Sequence, residues 1–464
     1  MIKDLLKHNI LLSAGAIISL LINIITIPII TRIYTPSDIG IFAFLHIFSI
    51  ALFPILSMRM EIILAQKIDL SELKTLFFTT VIIGIIFSFI SSIILFLSAN
   101  YLNQPQLINY LLFILLLPLL STYFEYGLGI LNHLKLYKAI AIFSTISIFL
   151  QKLIQIVLGM LMQDKTSAIF LSYCIPAFFL VIVMSFLFNK KINLFNNIKY
   201  DLNTIKKYSN HIFYRVSYSL SNLFKDRLII ILIITFFSAQ FAGLYTQAIG
   251  LLLIPATIFS MPIKTIITRE YQDNSNNTID MIVTIYNVII FTILPFYIYF
   301  FFQSSFLFPL IFGDKWSELS SVFNILMIPM FILIFSTSLD RLYDVLRVQS
   351  YAFFFELFFG LLCFGGFFIM SYINYEFLDA LKVNAIILGL FFTTFIYFIL
   401  NKAQKIYRFT KTFKYFIYQL SFCYLIFLTL KENILASTFL LMLILLFGVI
   451  LIRNNLKKLL AHQI

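Results

Sequence analysis

The chain has 464 residues, 61% hydrophobic and only 11% charged, with a formal net charge of +13 and a mean hydropathy of +1.00. Soluble domains carry about 25% charged residues, so this composition excludes a water-soluble fold and predicts a polytopic membrane protein. The cationic excess reads as a topological signal and an affinity for anionic headgroups, with no nucleic acid implied.

The N-terminus, MIKDLLKHNILLSAGAIISLLINIITIPII, begins with basic residues as a signal peptide does. Its apolar run is too long for one and lacks a small-x-small cleavage site, so an uncleaved first helix is expected. Fourteen apolar runs follow at 10–31, 39–57, 75–98, 108–130, 139–161, 167–188, 211–236, 241–262, 281–302, 318–339, 350–373, 379–400, 415–429 and 435–452. The side shared with the N-terminus carries 24 Lys and Arg, the opposite side five, and four lie within spans. Both termini are therefore expected to be cytoplasmic. The longest outer loop reads as QSSFLFPLIFGDKWSEL, too short for a soluble domain.

A shift of 203 residues lays His8–Ile63 on His211–Ile266. Gly40 falls on Gly243, Asn23 on Asp226, and TPSDIGIFA on SAQFAGLYT. This predicts an all-α protein of two parallel six-helix lobes: residues 1–188, a basic cytoplasmic linker 189–210, residues 211–400, and two further helices with a tail over 401–464.

The seventh span is the most unusual. Lys225, Asp226 and Arg227 stand in its middle, because the apolar run after them is too short to cross alone. His211, Ser219, Asn222 and Asp226 all fall within about 40° of Arg215 at 100° per residue, which makes one polar stripe. Arg215 and Asp226 are about 16 Å apart along the axis, too far to pair. Three cations against one anion ask for an anionic visitor. Elsewhere Ser19, Asn23 and Thr26 share a face of the first span; Ser121 and Glu125 stand in the fourth, Ser144, Gln151, Lys152 and Gln155 in the fifth. Ionisable residues at membrane depth are expensive and usually face a wet path, while the amides and hydroxyls serve equally as interhelical glue. Arg59, Asp340 and Arg341 end spans and read as lip residues; Trp316 reads as an interfacial anchor. The three cysteines read as small core residues. No phosphate loop, HExxH, paired cysteines or catalytic triad occurs in the sequence, so neither an enzyme nor a cofactor or metal site is expected.

This organisation resembles the Wzx-type polysaccharide flippases of the MOP superfamily. TRIYTPSDIGIFA, the arginine of ILSMRMEI, KDRLIIILI with FAGLYTQA, and IFGDKWSELSSVFNIL carry the resemblance, which covers essentially the whole chain. It implies a bacterial inner-membrane protein that moves an undecaprenyl-pyrophosphate-linked oligosaccharide between leaflets by alternating access. The cleft residues implied are Arg215, Lys225, Arg227, Asn222, Asn23 and Lys152, with Asp226 and Glu125 as sites of H⁺ or Na⁺ coupling. Partners implied are the lipid-linked sugar, the bilayer, and the pathway's polymerase and chain-length regulator. No arginine stands in the middle of the first span, where related lipid II flippases carry charge, which argues against that substrate. The alternatives are a multidrug antiporter of the same superfamily, which would favour acidic groups, and a membrane polymerase, which would need a larger outer domain.

Overall fold

The computed structural model describes residues 2–60, 69–101, 108, 110–194, 206–209, 212–213, 216–217, 219–220, 227–271, 275–346, 348–404, 406–429 and 433–445. Among these the secondary structure is entirely helical. Ten helices are long and apolar enough to cross a bilayer, and Pro36–Ile47 and Ile434–Leu445 are shorter apolar helices. These twelve account for twelve of the fourteen expected spans. The seventh extends beyond the described residues, and the thirteenth is a helix whose first turns are basic. The chain divides into two compact units, Met1–Gly243 and Leu244–Ile464.

The first unit contains α1 (Ile2–Ile33), α2 (Pro36–Leu56), α3 (Leu70–Tyr101), α4 (Leu111–His133), α5 (Tyr137–Leu161), α6 (Lys165–Ile192) and α7 (Ile229–Phe236). Helix α1 packs along α5, α5 on α6, and α2 against α3, α4, α6 and α7. Pro28, Pro54, Pro118 and Pro176 sit inside helices, as neighbouring helices in a membrane permit. Local chemistry sets the helix ends. Thr35 and Asp38 form a reciprocal capping box: Asp38 Oδ2 accepts from Thr35 N at 2.8 Å, Thr35 Oγ1 accepts from Asp38 N at 3.3 Å, and Pro36 opens α2. Asp164 caps α6, while the Lys165 ammonium donates to the carbonyls of Gly159 and Met162 at the end of α5.

The repeat seen in the sequence has a physical consequence. Helix α8 (Ala239–Leu252) begins within the first unit and meets the start of α2 there. A Cβ on Gly40 would collide with the Ala239 carbonyl, and one on Gly243 with the Pro36 carbonyl. Pro36 and Ala239 are separated by the same 203 residues as the two glycines. The contact is therefore reciprocal between matched turns, and it needs glycine on both sides.

At the end where α3 begins and α4 closes, Met60, Leu73, Leu76, Tyr126, Ile130, Phe143, Met184 and Phe188 form a close-packed cluster. Beside it Lys207 Nζ meets Glu72 Oε1 at 2.7 Å, and Tyr208 donates to Glu72 Oε2 at 3.0 Å. The Glu72 carboxylate raises the Lys207 ammonium above its ordinary range, and the pair ties part of the basic linker to α3. Between helices in lipid the hydrophobic effect has little to drive. Ile25, Leu161 and Phe186 accordingly stay exposed on the flanks.

The second unit contains the rest of α8, α9 (Ile254–Glu270), α10 (Ser275–Phe312), α11 (Leu319–Ser338), the single turn α12 (Leu342–Val345), α13 (Gln349–Tyr372), α14 (Phe377–Lys402), α15 (Ile406–Thr429) and α16 (Ile434–Leu445). Three expectations are corrected here. Residues 303–312 of the expected outer loop continue α10, because Gln303 and Ser304 are buried and bond inward to Ser437 and Asn324. Chain reversal needs only Gly313–Glu318, with Gly313 at φ 94°. Trp316 is fully buried beneath that turn, not facing headgroups. The thirteenth span begins at Ile406, nine residues before its expected start at 415, because its basic residues fit a helix whose other face is apolar. Asp340, just past the end of α11, pairs with Lys264 at 2.7 Å. All three cysteines are buried and free.

Candidate functional site

The polar groups of the first unit converge through α2, α5 and α6. On α5, the Lys152 ammonium lies 3.4 Å from Gln155 Oε1, and the Gln155 carbonyl accepts from Tyr34 at 2.6 Å. Burial, with the Asp38 charge behind it, raises the Tyr34 phenol, so it remains the donor. Gly159 lets Tyr34 lie against α5, since a Cβ there would meet the phenol. One turn before Gln155, Gln151 lies beside Tyr173 of α6. The Tyr173 ring stands 5.5 Å from the His46 imidazole and 5.0 Å from Phe42, both on α2. Phe42 and His46 stack at 5.0 Å and 21°, a pair one helical turn apart.

Arg227 joins this group electrostatically, because its charge acts on both His46 and Tyr173. Arg227 and Leu228 form a turn, with Ile230 N donating to the Arg227 carbonyl, and regular helix begins at Ile229. Arg227 thus stands in a turn directly before α7. Among the described residues neither Arg227 nor Lys152 forms an ion pair. A second arginine reaches the same span. Arg59 Nε donates to Ser219 Oγ at 2.8 Å, and its guanidinium lies 5.5 Å from the Phe53 ring centre. Met58 and Arg59 both have left-handed backbones, φ 47° and 53°. Such conformations are costly outside glycine and persist where surrounding contacts hold them.

Of the residues expected from the sequence, Lys152 and Arg227 are both half-buried in the first unit, Lys152 beside Gln155 and Arg227 near His46 and Tyr173. Asn23 is half-buried on α1, the helix that packs along α5. Glu125 is exposed on α4. Arg215, Asn222, Lys225 and Asp226 lie outside the described residues. Several hydroxyls act locally: Thr26 and Ser144 donate to carbonyls of their own helices. The sequence reading missed His46, Tyr173 and the Arg59–Ser219 bond. The Phe42–His46 spacing was visible in the sequence, but contacts between α2, α5 and α6 carry no periodic signal.

The arrangement presents cations, an imidazole, a phenol and amides on an aromatic wall. Such groups hold anions and hydroxyl-rich molecules by charge-assisted and neutral hydrogen bonds.

The fold is shared with known transporters. The chain is similar to the lipid II flippase MurJ in an inward closed conformation, with a TM-score of 0.72 and 13% identity over 97% of this chain and 100% of that one. It is also similar to a multidrug resistance MATE family transporter of the MOP superfamily. The inward-facing form gives a TM-score of 0.58 at 14% identity, covering 85% of this chain and 96% of that one. The outward-facing form gives 0.52 at 14% identity, covering 86% and 95%. No curated protein matches the sequence. Residues 29–321 match the polysaccharide biosynthesis protein family, and the chain belongs to that family.

Proposed function

We propose that the protein flips an undecaprenyl-pyrophosphate-linked oligosaccharide across the bacterial inner membrane, from the cytoplasmic to the periplasmic leaflet. The observation that carries this reading is the set of polar groups inside a lipid-embedded helical unit: His46 and Tyr173 packed with Phe42, Arg227 near them, and Lys152 with Gln155 on α5. Sugar hydroxyls and a pyrophosphate cannot enter hydrocarbon unpaired, whereas a polyprenyl chain is stable there. Cations compensate the pyrophosphate, and the phenol and amides match sugar hydroxyls. In this reading Arg227, Lys152 and Asn23 contact the substrate, as do Arg215, Lys225 and Asn222, which lie outside the described residues. Asp226 and Glu125 couple its movement to H⁺ or Na⁺. Alternating access is supported by the inward-facing and outward-facing structures found among the fold relatives. The positive-inside bias supports cytoplasmic termini, and membership of a polysaccharide biosynthesis family favours a lipid-linked sugar.

The fold likeness to multidrug transporters favours a second reading, efflux of cationic drugs. The cationic character of the group opposes it.

The two are separated in a deletion strain complemented with wild type or Arg227→Ala at matched protein levels. The flippase reading expects loss of surface polysaccharide and lipid-linked oligosaccharide held on the cytoplasmic leaflet, uncorrected by Arg227→Ala. Intact polymer together with increased drug sensitivity would reject it.

A further inference from the structure

Three contacts hold the end of the basic linker and the start of the seventh span to the rest of the first unit, all where α2 closes and α3 begins. Glu72, in the first turn of α3, accepts from two consecutive residues: Lys207 Nζ at 2.7 Å and the Tyr208 hydroxyl at 3.0 Å. The Lys207 ammonium also lies 5.1 Å from the centre of the Tyr208 ring. Tyr208 and Ile212 pack against the cluster that contains Met60, Leu73 and Tyr126. Farther along, Ser219 Oγ accepts from Arg59 Nε at 2.8 Å. The described residues among 206–220 are all helical. At 100° per residue Ile212 and Ser219 fall within about 40° of Tyr208, so one helix face carries all three contacts.

The two polar ties are of a kind that opens easily. Lys207 is 58% exposed and Glu72 20%, and ion pairs open to water are weak and screened by salt. Arg59 reaches Ser219 from a strained turn. Met58 and Arg59 both have positive φ, and Ser57 Oγ accepts from the Arg59 amide at 3.1 Å. Such a backbone persists only while its surroundings hold it, so relief of strain offsets part of the loss when the Ser219 bond breaks. We propose that Glu72 with Lys207 and Tyr208, and Arg59 with Ser219, form a two-point latch that is shut in this structure and opens as a unit. Released, the head of the seventh span swings away from α2 and α3, and this end of the first unit opens. That use of the latch in the transport cycle rests on the flippase reading; the existence of the latch does not.

Leu70 and Ser209 are exposed on the two sides of the Glu72 tie. Spin labels on Leu70→Cys and Ser209→Cys, in full-length protein in nanodiscs of phosphatidylethanolamine and phosphatidylglycerol, report their separation by electron–electron dipolar coupling; the three native cysteines are buried. The expected distribution has a major short distance and a minor long one. Glu72→Gln should raise the ratio of long to short about threefold, as loss of an exposed ion pair does. Ser219→Ala should raise it by a similar factor, as loss of one interhelical hydrogen bond does. Both ties act on one equilibrium, so the double variant should reach about tenfold. If Ser219→Ala yields no folded protein, raising the salt on the otherwise wild-type labelled pair decides, since screening should also lengthen the distribution. A single short distance in every protein and at every salt concentration overturns the proposal, as does a double variant no more open than either single one. If a deletion strain keeps its surface polymer, the flippase reading fails, and the distances still decide whether the latch exists.

Discussion

The interior of the first unit and the α13–α14 interface of the second hold helices together by different means. In the first, side chains bridge segments through polar contacts: Tyr34 to the Gln155 carbonyl, Thr145 to the Gly15 carbonyl, Arg59 to Ser219. In the second, Phe355, Phe359, Phe391 and Phe395 interlock with ring centres 4.9–6.3 Å apart. Aromatic pairs of this kind give about 0.5–1.5 kcal/mol each beyond area burial. Interhelical hydrogen bonds in membranes average about 0.6 kcal/mol. Stability alone would therefore favour the aromatic solution everywhere. The α13–α14 interface keeps one interhelical hydrogen bond, from Asn384 Nδ2 to the Cys363 carbonyl at 3.4 Å, whereas the first unit keeps charged groups as well; on the reading proposed above those charges serve substrate.

Substitutions can break that contrast. The largest effect belongs to neither interior but to the glycine contact that closes the first unit. Gly40→Leu should abolish folded protein, because the new side chain meets the Ala239 backbone, whereas Gly365→Ala, in open space, should be neutral or slightly stabilising. Monodispersity in detergent compares the two. Next, Phe391→Ala should cost about 3–5 kcal/mol of stability, read as a lowered thermal midpoint, with substrate binding intact. Arg227→Ala should do the reverse. It should leave the midpoint close to wild type while weakening substrate by about 1.5–3 kcal/mol, as loss of a charged hydrogen bond does. Gln155→Leu should be the smallest, about 0.6 kcal/mol, because its backbone carbonyl, which receives Tyr34, survives the change. If Phe391→Ala impaired binding while Arg227→Ala only destabilised the fold, the assignment of chemistry to the first unit would be wrong.

Much of this was legible in the sequence for identifiable reasons. Thr35-Pro36-Ser37-Asp38 announces a capped helix start because every hydrogen bond involved is local. The repeat offset predicted that Gly40 and Gly243 correspond, and their mutual contact explains why both are glycine. Lys152 and Arg227 stood out because charge within an apolar run is expensive. Helix ends were less legible where amphipathic turns extend a span, as at Ile406, or where polar residues turn inward, as at Gln303 and Ser304. Trp316 misled because aromatic residues near helix ends serve both headgroup anchoring and turn packing. His46 and Tyr173 were missed because their partners lie on helices distant in sequence.

The central claim is that the cationic group of the first unit recognises a lipid pyrophosphate. Its most direct test is equilibrium binding of undecaprenyl pyrophosphate to purified wild type, Arg227→Lys and Arg227→Ala at two salt concentrations. The account predicts binding that weakens with salt and falls at least about tenfold in Arg227→Ala, with Arg227→Lys intermediate. Equal affinity in all three proteins, or competition by a cationic drug with no salt dependence, would contradict it.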